Sequence, residues 1–206
     1  MNRHPAGTMC RHAAILLCLA SAQRALAAQW SVGFDVALSR FTSASVDTTT
    51  GGSGSSFHPH GPAIGGVHVE RRLGRAGVGL GVRYAGAGVV GENSDVAVEQ
   101  KGVLTLVELA PEASLRIART ASGTELRVSA GPVLDVWSEN GGGSRTRAGA
   151  QAALSVEWPI IERLAGSVRA AAALTGSVFD ASELPAGVER RAMWRQSVAL
   201  GVRYRL

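Results

Sequence analysis

The chain has 206 residues, 46% of them hydrophobic and 18% charged, with 26 glycines and a formal net charge of +5. That much apolar surface must be buried somewhere, which excludes a disordered chain, and glycines without a period of three exclude a collagen-like one. No apolar run reaches the ~20 residues of a spanning helix.

Residues 1–28 read as a cleaved secretory leader. Arg3, His4, Arg11 and His12 make a basic start, Ala13 to Ala22 an apolar stretch, and Ala25-Leu26-Ala27 a small-x-small cleavage site. Cleavage is expected after Ala27 or Ala28. Leu17 precedes Cys18, where a lipidation motif wants a small residue. Both cysteines, Cys10 and Cys18, leave with the leader, so burial and not disulfides must hold the remainder together. Eighteen basic and sixteen acidic residues then remain, a net charge of +2. They are interleaved along the chain, which argues against nucleic-acid binding.

Residues 29–206 read as one domain of eight strands with period-two alternation. The first is Trp30–Leu38, with Trp30, Val32, Phe34, Val36 and Leu38 on one parity. Strands follow near 60–73, 77–88, 102–117, 124–138, 146–158 and 163–177. The last, 194–206, carries Val198, Leu200, Val202, Tyr204 and Leu206 on one parity and Arg195, Arg203 and Arg205 on the other. Pro111 and Pro132 fall inside strands, where each removes a ladder donor. They call for bulges, or for a fourth strand running past the membrane.

Connections alternate in length. Residues 74–76, 118–123 and 159–162 are short; 43–59, 89–101, 139–145 and 178–191 are longer. All the longer ones fall on one side, the asymmetry of an up-and-down membrane barrel. Alternation alone does not say which face is apolar, but the polar parity does. It mixes Gly, Ala and Ser with opposite charges: Gly79, Gly81 and Arg83 on the third strand, Glu108, Glu112 and Arg116 on the fourth, Arg127, Ser129, Gly131 and Asp135 on the fifth. The chain has one lysine, Lys101, against twenty arginines, and Arg is preferred where it pairs with carboxylates in a planar, two-pronged way. An eight-stranded barrel has room inside only for side chains. The expected fold is therefore an all-β, eight-stranded antiparallel up-and-down transmembrane barrel with its apolar parity facing lipid. Its lumen is expected to be filled by charges from Asp35, Glu70, Arg83, Glu108, Arg127, Asp135, Arg169, Arg195 and Arg203. That network either plugs the barrel or lines a narrow ion path. Aromatic belts are expected from Trp30, Trp158 and Tyr204 at one interface and from Phe41, Tyr84, Trp137 and Trp194 at the other.

The C-terminal run Ala199-Leu-Gly201-Val-Arg-Tyr204-Arg-Leu206 resembles the signal by which barrel assembly machinery reads outer-membrane proteins. Gly201, Tyr204 and Leu206 match it. Ala199 stands where a polar residue is usual, and Leu206 where Phe is common. With the leader and the strand pattern, residues 28–206 resemble the small eight-stranded OmpA/OmpX-type outer-membrane barrel family. The resemblance implies outer-membrane location, a monomeric barrel among outer-membrane lipids and no cofactor. The role expected of this chain is structural or interactive, with loops 43–59, 89–101 and 178–191 exposed outside to an unidentified ligand.

Motifs for chemistry are sparse. His58-Pro-His60 reads as loop, not as a metal site, and Gly77-Val-Gly79-Leu-Gly81 has no helix after it for a dinucleotide. A lipid A-modifying enzyme would need a nucleophile beside an oriented His. His68 and Glu70 share a parity, but no Ser completes the set, so no catalytic or metal residue is assigned. His68 is expected inside, satisfied by a charged neighbour. A soluble lipocalin-like carrier remains as an alternative. Gln29 and Ala28 stand before Trp30, where its first strand would carry Gly-x-Trp.

Overall fold

A computed structural model describes residues 29–206 except 43, 48–55, 62, 93–96, 181, 183, 185 and 186. The leader expected at 1–28 lies outside the described residues. Eight long strands form the wall: β1 (Gln29–Phe41), β4 (Ala63–Leu73), β5 (Ala76–Glu92), β6 (Ala97–Arg119), β7 (Glu125–Glu139), β8 (Ser144–Pro159), β9 (Leu164–Thr175) and β11 (Met193–Arg205). Every neighbouring pair is antiparallel, and β1 closes the ring by pairing with both β4 and β11. Short turns join β4 to β5, β6 to β7 and β8 to β9. The first of these needs Gly74, whose φ of 67° lies where a side chain is strained.

Three short strands occupy segments that read as loop: β2 (Ser45–Asp47), β3 (Ser56–His60) and β10 (Val188–Arg190). β10 pairs with β2, β2 with β3, and β3 with the far end of β5. The sheet therefore continues beyond the barrel wall on the long-loop side. Likewise β5 and β6 run on through most of the expected 89–101 loop, pairing as far as Glu92 with Ala97. Ser, Thr and Gly carry little period-two signal, so backbone pairing there leaves few marks in the sequence.

The faces are those of a membrane barrel. Leu38, Leu200, Val36 and Phe34 point outward at 67, 65, 64 and 59% exposure. Their neighbours along the same strands, Ala37, Ala199 and Gly33, point in. A soluble barrel would show the reverse. Trp30, Trp158, Tyr204, Tyr84 and Trp194 are also outward. Arg71 lies over the Trp30 ring at 5.8 Å, joining a cation to an aromatic at the short-turn rim.

Two aromatics expected in the outer belt face the lumen instead. Phe41 and Trp137 are 4% and 1% exposed and meet edge-to-face, with ring centroids 5.8 Å apart. They pack with Leu106, Met193 and Val178 into an apolar cap inside the long-loop end of the barrel. Trp137 shares the polar parity of Arg127, Ser129 and Asp135, which is the wrong one for lipid, and no bulge intervenes to turn it outward.

The prolines are not relieved as expected. The bulges in the wall lie elsewhere, between Ala87 and Val89 and between Arg116 and Ala118. β6 is long, but Pro111 sits well inside it, paired with Leu80 of β5.

Candidate functional site

The lumen concentrates the buried charge of this chain. Inward positions on successive strands stand beside one another because the register sets Arg83 against Glu108 and Glu108 against Asp135. Inward glycines clear the space. A Cβ on Gly66 would meet Arg83 Cγ at 2.7 Å, and one on Gly79 would meet His68 Nε2 at 2.6 Å.

Three charged layers fill the lumen from the short-turn end upward. In the first, Glu70 accepts from Arg72 at 2.9 Å, Arg127 at 3.1 Å and Ser114 at 2.6 Å, and it also pairs with Arg203. Arg72 reaches on to Glu157 at 2.5 Å and to Glu125 at 3.5 Å, and Arg116 closes on Glu125 at 3.1 Å. In the second layer, Arg169 grips Glu112 with two nitrogens, at 2.6 and 3.2 Å. His68 Nε2 lies 2.9 Å from the same carboxylate, and Ser129 donates to it at 3.2 Å. In the third, Glu108 pairs with both Arg83, at 2.5 Å, and Arg195. Arg195 also faces Asp135 at 3.6 Å, and Arg83 faces Asp35 at 3.8 Å.

The aromatic cap lies directly above the third layer. Arg195 sits over the Phe41 ring at 6.0 Å, which joins the charged and apolar parts of the interior. Described parts of two long connections meet over this cap. Ser177 donates to the Ala44 carbonyl at 2.8 Å, and the Arg191 amide donates to the same oxygen at 2.9 Å. Arg147 donates to the Ser177 carbonyl at 2.5 Å and to Asp180 at 2.5 Å, and Arg145 donates to the Val178 carbonyl at 3.0 Å. The hydrogen bond from Arg147 and its charge hold the Asp180 carboxyl below the ordinary aspartate range.

All nine residues assigned to the lumen from the sequence point into it. Glu70, Arg127 and Arg203 meet in the first layer; Asp35, Arg83, Glu108, Asp135 and Arg195 meet in the third; Arg169 stands in the second. Arg72, Glu125 and Glu157 join the network without having been expected there from the sequence. Each lies on the inward parity of its strand, next to Glu70, Arg127 and Ser155 respectively, so strand parity is the available signal. Gly201 pairs with Asp35 of β1, and a Cβ there would meet Phe34 O at 2.7 Å. Tyr204 and Leu206 face outward at the short-turn rim.

The chemistry available here is ion pairing, with little room for a ligand. Between the second and third layers a cavity of about 20 Å³ touches Asp35, His68, Arg83 and Arg169. That is space for about one water. Among the described residues, no cluster of three or more His, Cys, Asp or Glu is arranged to hold a metal ion. His68 is buried against Glu112, away from the lipid-facing wall.

No known family model matches the sequence, and no curated protein does. Solved structures do. The fold is similar to that of Neisserial surface protein A, with a TM-score of 0.58 and 13% identity, covering 86% of this chain and 97% of that one. It is also similar to the outer membrane protein OprG from Pseudomonas aeruginosa, with a TM-score of 0.52 and 12% identity over 88% of this chain and 97% of that one. At these identities the likeness is one of fold. The chain has the closed, eight-stranded, antiparallel fold of the small outer-membrane β-barrels.

Proposed function

We propose that this chain is an OmpA/OmpX-type outer-membrane barrel, delivered by a leader over residues 1–28, with a sealed lumen and a structural or surface-interaction role. It sits as a monomer in the lipids of the outer membrane. Gly201, Tyr204 and Leu206 serve as its signal to the barrel assembly machinery. The loops around β2, β3 and β10 are the parts offered to an external ligand.

One observation carries the sealed lumen: the arginine–carboxylate layers and the Phe41–Trp137 cap fill the interior, and the cavity between the second and third layers is only about 20 Å³. An ion path needs a continuous hydrated route. Eight strands leave no such width once their side chains are in place. The outward stripe of Val36, Leu38, Val198 and Leu200 supports a membrane setting over a soluble carrier. The burial of His68 supports a non-enzymatic role over lipid A chemistry, because a lipid-modifying nucleophile must be reached from the wall.

Two experiments test this. In cell fractionation, the protein is expected in the outer-membrane pellet and to migrate differently on a gel unboiled and boiled; release by osmotic shock would contradict the membrane setting. In planar bilayers, the purified barrel is expected to give no discrete conductance steps. Steady ion-selective steps would support the narrow-pore reading instead.

A further inference from the structure

Two adjoining cavities, one of mixed polarity and one apolar, lie at the long-loop end of the wall. Among the described residues the β1–β4 ladder reaches Leu38 against Ala63, and β1 pairs with β11 as far as Phe41 against Arg195. β3, docked on β5, stands beside this end of β1, where Ser39 Oγ donates to the Gly61 carbonyl at 3.4 Å. A cavity of about 540 Å³ forms a notch here, lined by Arg40, Thr42, His58, His60 and Gln196 with Ser39 and Phe41. No acidic side chain is among its described lining residues. An adjoining groove of about 420 Å³ is lined by Leu38, Ala170 and Val198, and shares Ser39, Arg40 and Gln196 with the first cavity.

The register explains the division. Leu38, Val198 and Ala170 form one outward row across β1, β11 and β9, and Arg40, Gln196 and Ala172 form the next outward row toward the loops. The apolar belt thus ends between these rows. Ala170 is small where its row neighbours are large, which leaves the depression. Among the described residues, neither the Arg40 guanidinium nor the Gln196 amide has a partner. A cation and an amide beside an apolar groove suit an anionic head on an acyl chain, with phosphate the best match for a guanidinium.

We propose that this notch binds a phosphate-bearing lipid of the leaflet on the loop side, with its phosphate at Arg40 and Gln196 and an acyl chain along Leu38, Ala170 and Val198. The proposal rests on the membrane setting argued above. Its source is a membrane lipid and not free phosphate, because the groove has no use for an inorganic ion.

The test is lipid retention by native mass spectrometry of the refolded full chain in detergent. The probes are dimyristoyl phosphatidic acid and dimyristoyl phosphatidylcholine, which share acyl chains and differ in head. Phosphatidic acid is expected to be retained about ten-fold better, the worth of one charge-assisted hydrogen bond. Arg40→Gln should remove that preference. Ala170→Leu, which fills the groove, should lower retention of both lipids. Arg71→Gln, an outward arginine at the opposite rim, should change neither. Inorganic phosphate should not compete at equal concentration. Equal retention of the two lipids, equal loss from Arg40→Gln and Arg71→Gln, or competition by inorganic phosphate with Ala170→Leu silent would overturn the proposal. Each sample is first checked for the unboiled gel shift. Its absence from the parent protein would overturn the membrane reading itself, while a folded barrel without lipid preference would overturn only the site.

Discussion

Pro111 and Pro132 stand directly opposite each other across the β6–β7 ladder. The register that pairs Leu109 with Leu134 resumes unshifted with Ala113 and Ala130, and pairing is missing only in between. An antiparallel pair of this kind exchanges two N–H to carbonyl bonds, and here both donors are absent. Facing prolines thus confine the loss to one place, and the unbroken β5–β6 pairing at Leu80 and Pro111 is untouched. Gly131 lets the two strands close over the gap, since a Cβ there would lie 2.9 Å from Glu112 Cα and collide with the Pro111 carbonyl oxygen.

Pro132→Ala should therefore create an amide that exchanges slowly. The new hydrogen bond is worth ~0.5–1.5 kcal/mol, offset by ~0.4–1 kcal/mol of added freedom in the unfolded chain. The net stability change should stay within about 1 kcal/mol. Gly131→Ala should cost ~1–3 kcal/mol, because backbone must move to admit it. Urea unfolding in lipid vesicles with hydrogen-exchange NMR measures both; fast exchange of the new amide in the Pro132→Ala variant would count against the facing-donor account.

Glu108 is fully buried between Arg83 and Arg195. Glu108→Gln should destabilise the barrel by ~3–5 kcal/mol, because it strands buried cations. Glu108→Gln combined with Arg195→Met should recover much of that loss. A double-mutant cycle on urea midpoints checks it, and additive losses would mean that the two side chains do not act as a pair.

The strap over the cap should be acid-sensitive. The Asp180 carboxyl is held below its ordinary value of 3.8, first by the hydrogen bond from Arg147. A depressed folded-state value means the contact is fully present above 3.8 and is lost as pH falls below it. Proteolysis or hydrogen exchange of residues 176–180 and 187–192 should be constant from about pH 8 to 5 and rise below about pH 4. Asp180→Asn should abolish that rise; an unchanged profile in the variant would place the acid response elsewhere.

Much of the wall is legible without the structure. Val198, Leu200, Val202 and Tyr204 alternate with small and cationic residues, and only a barrel with lipid outside satisfies both parities in so narrow a lumen. Which charge meets which is not legible. Glu70 and Arg203 are 133 residues apart and meet only through the β1 register with β4 and β11. Arg72, Glu125 and Glu157 lie near strand ends, where boundaries blur the parity. Phe41 and Trp137 read as belt residues from their height at a strand end, although the parity of Trp137, shared with Asp135, already points inward. The short strands β2, β3 and β10 leave no periodic trace, being held by partners remote in sequence.

Fluorescence quenching of single-tryptophan variants tests the inside-out arrangement most directly. With the other tryptophans replaced by Phe, Trp158 and Trp194 should be quenched by brominated lipid acyl chains. Trp137, sealed in the cap beside Phe41, should be quenched neither by brominated lipid nor by aqueous iodide. Strong lipid quenching of Trp137, with Trp158 and Trp194 answering only to iodide, would contradict it.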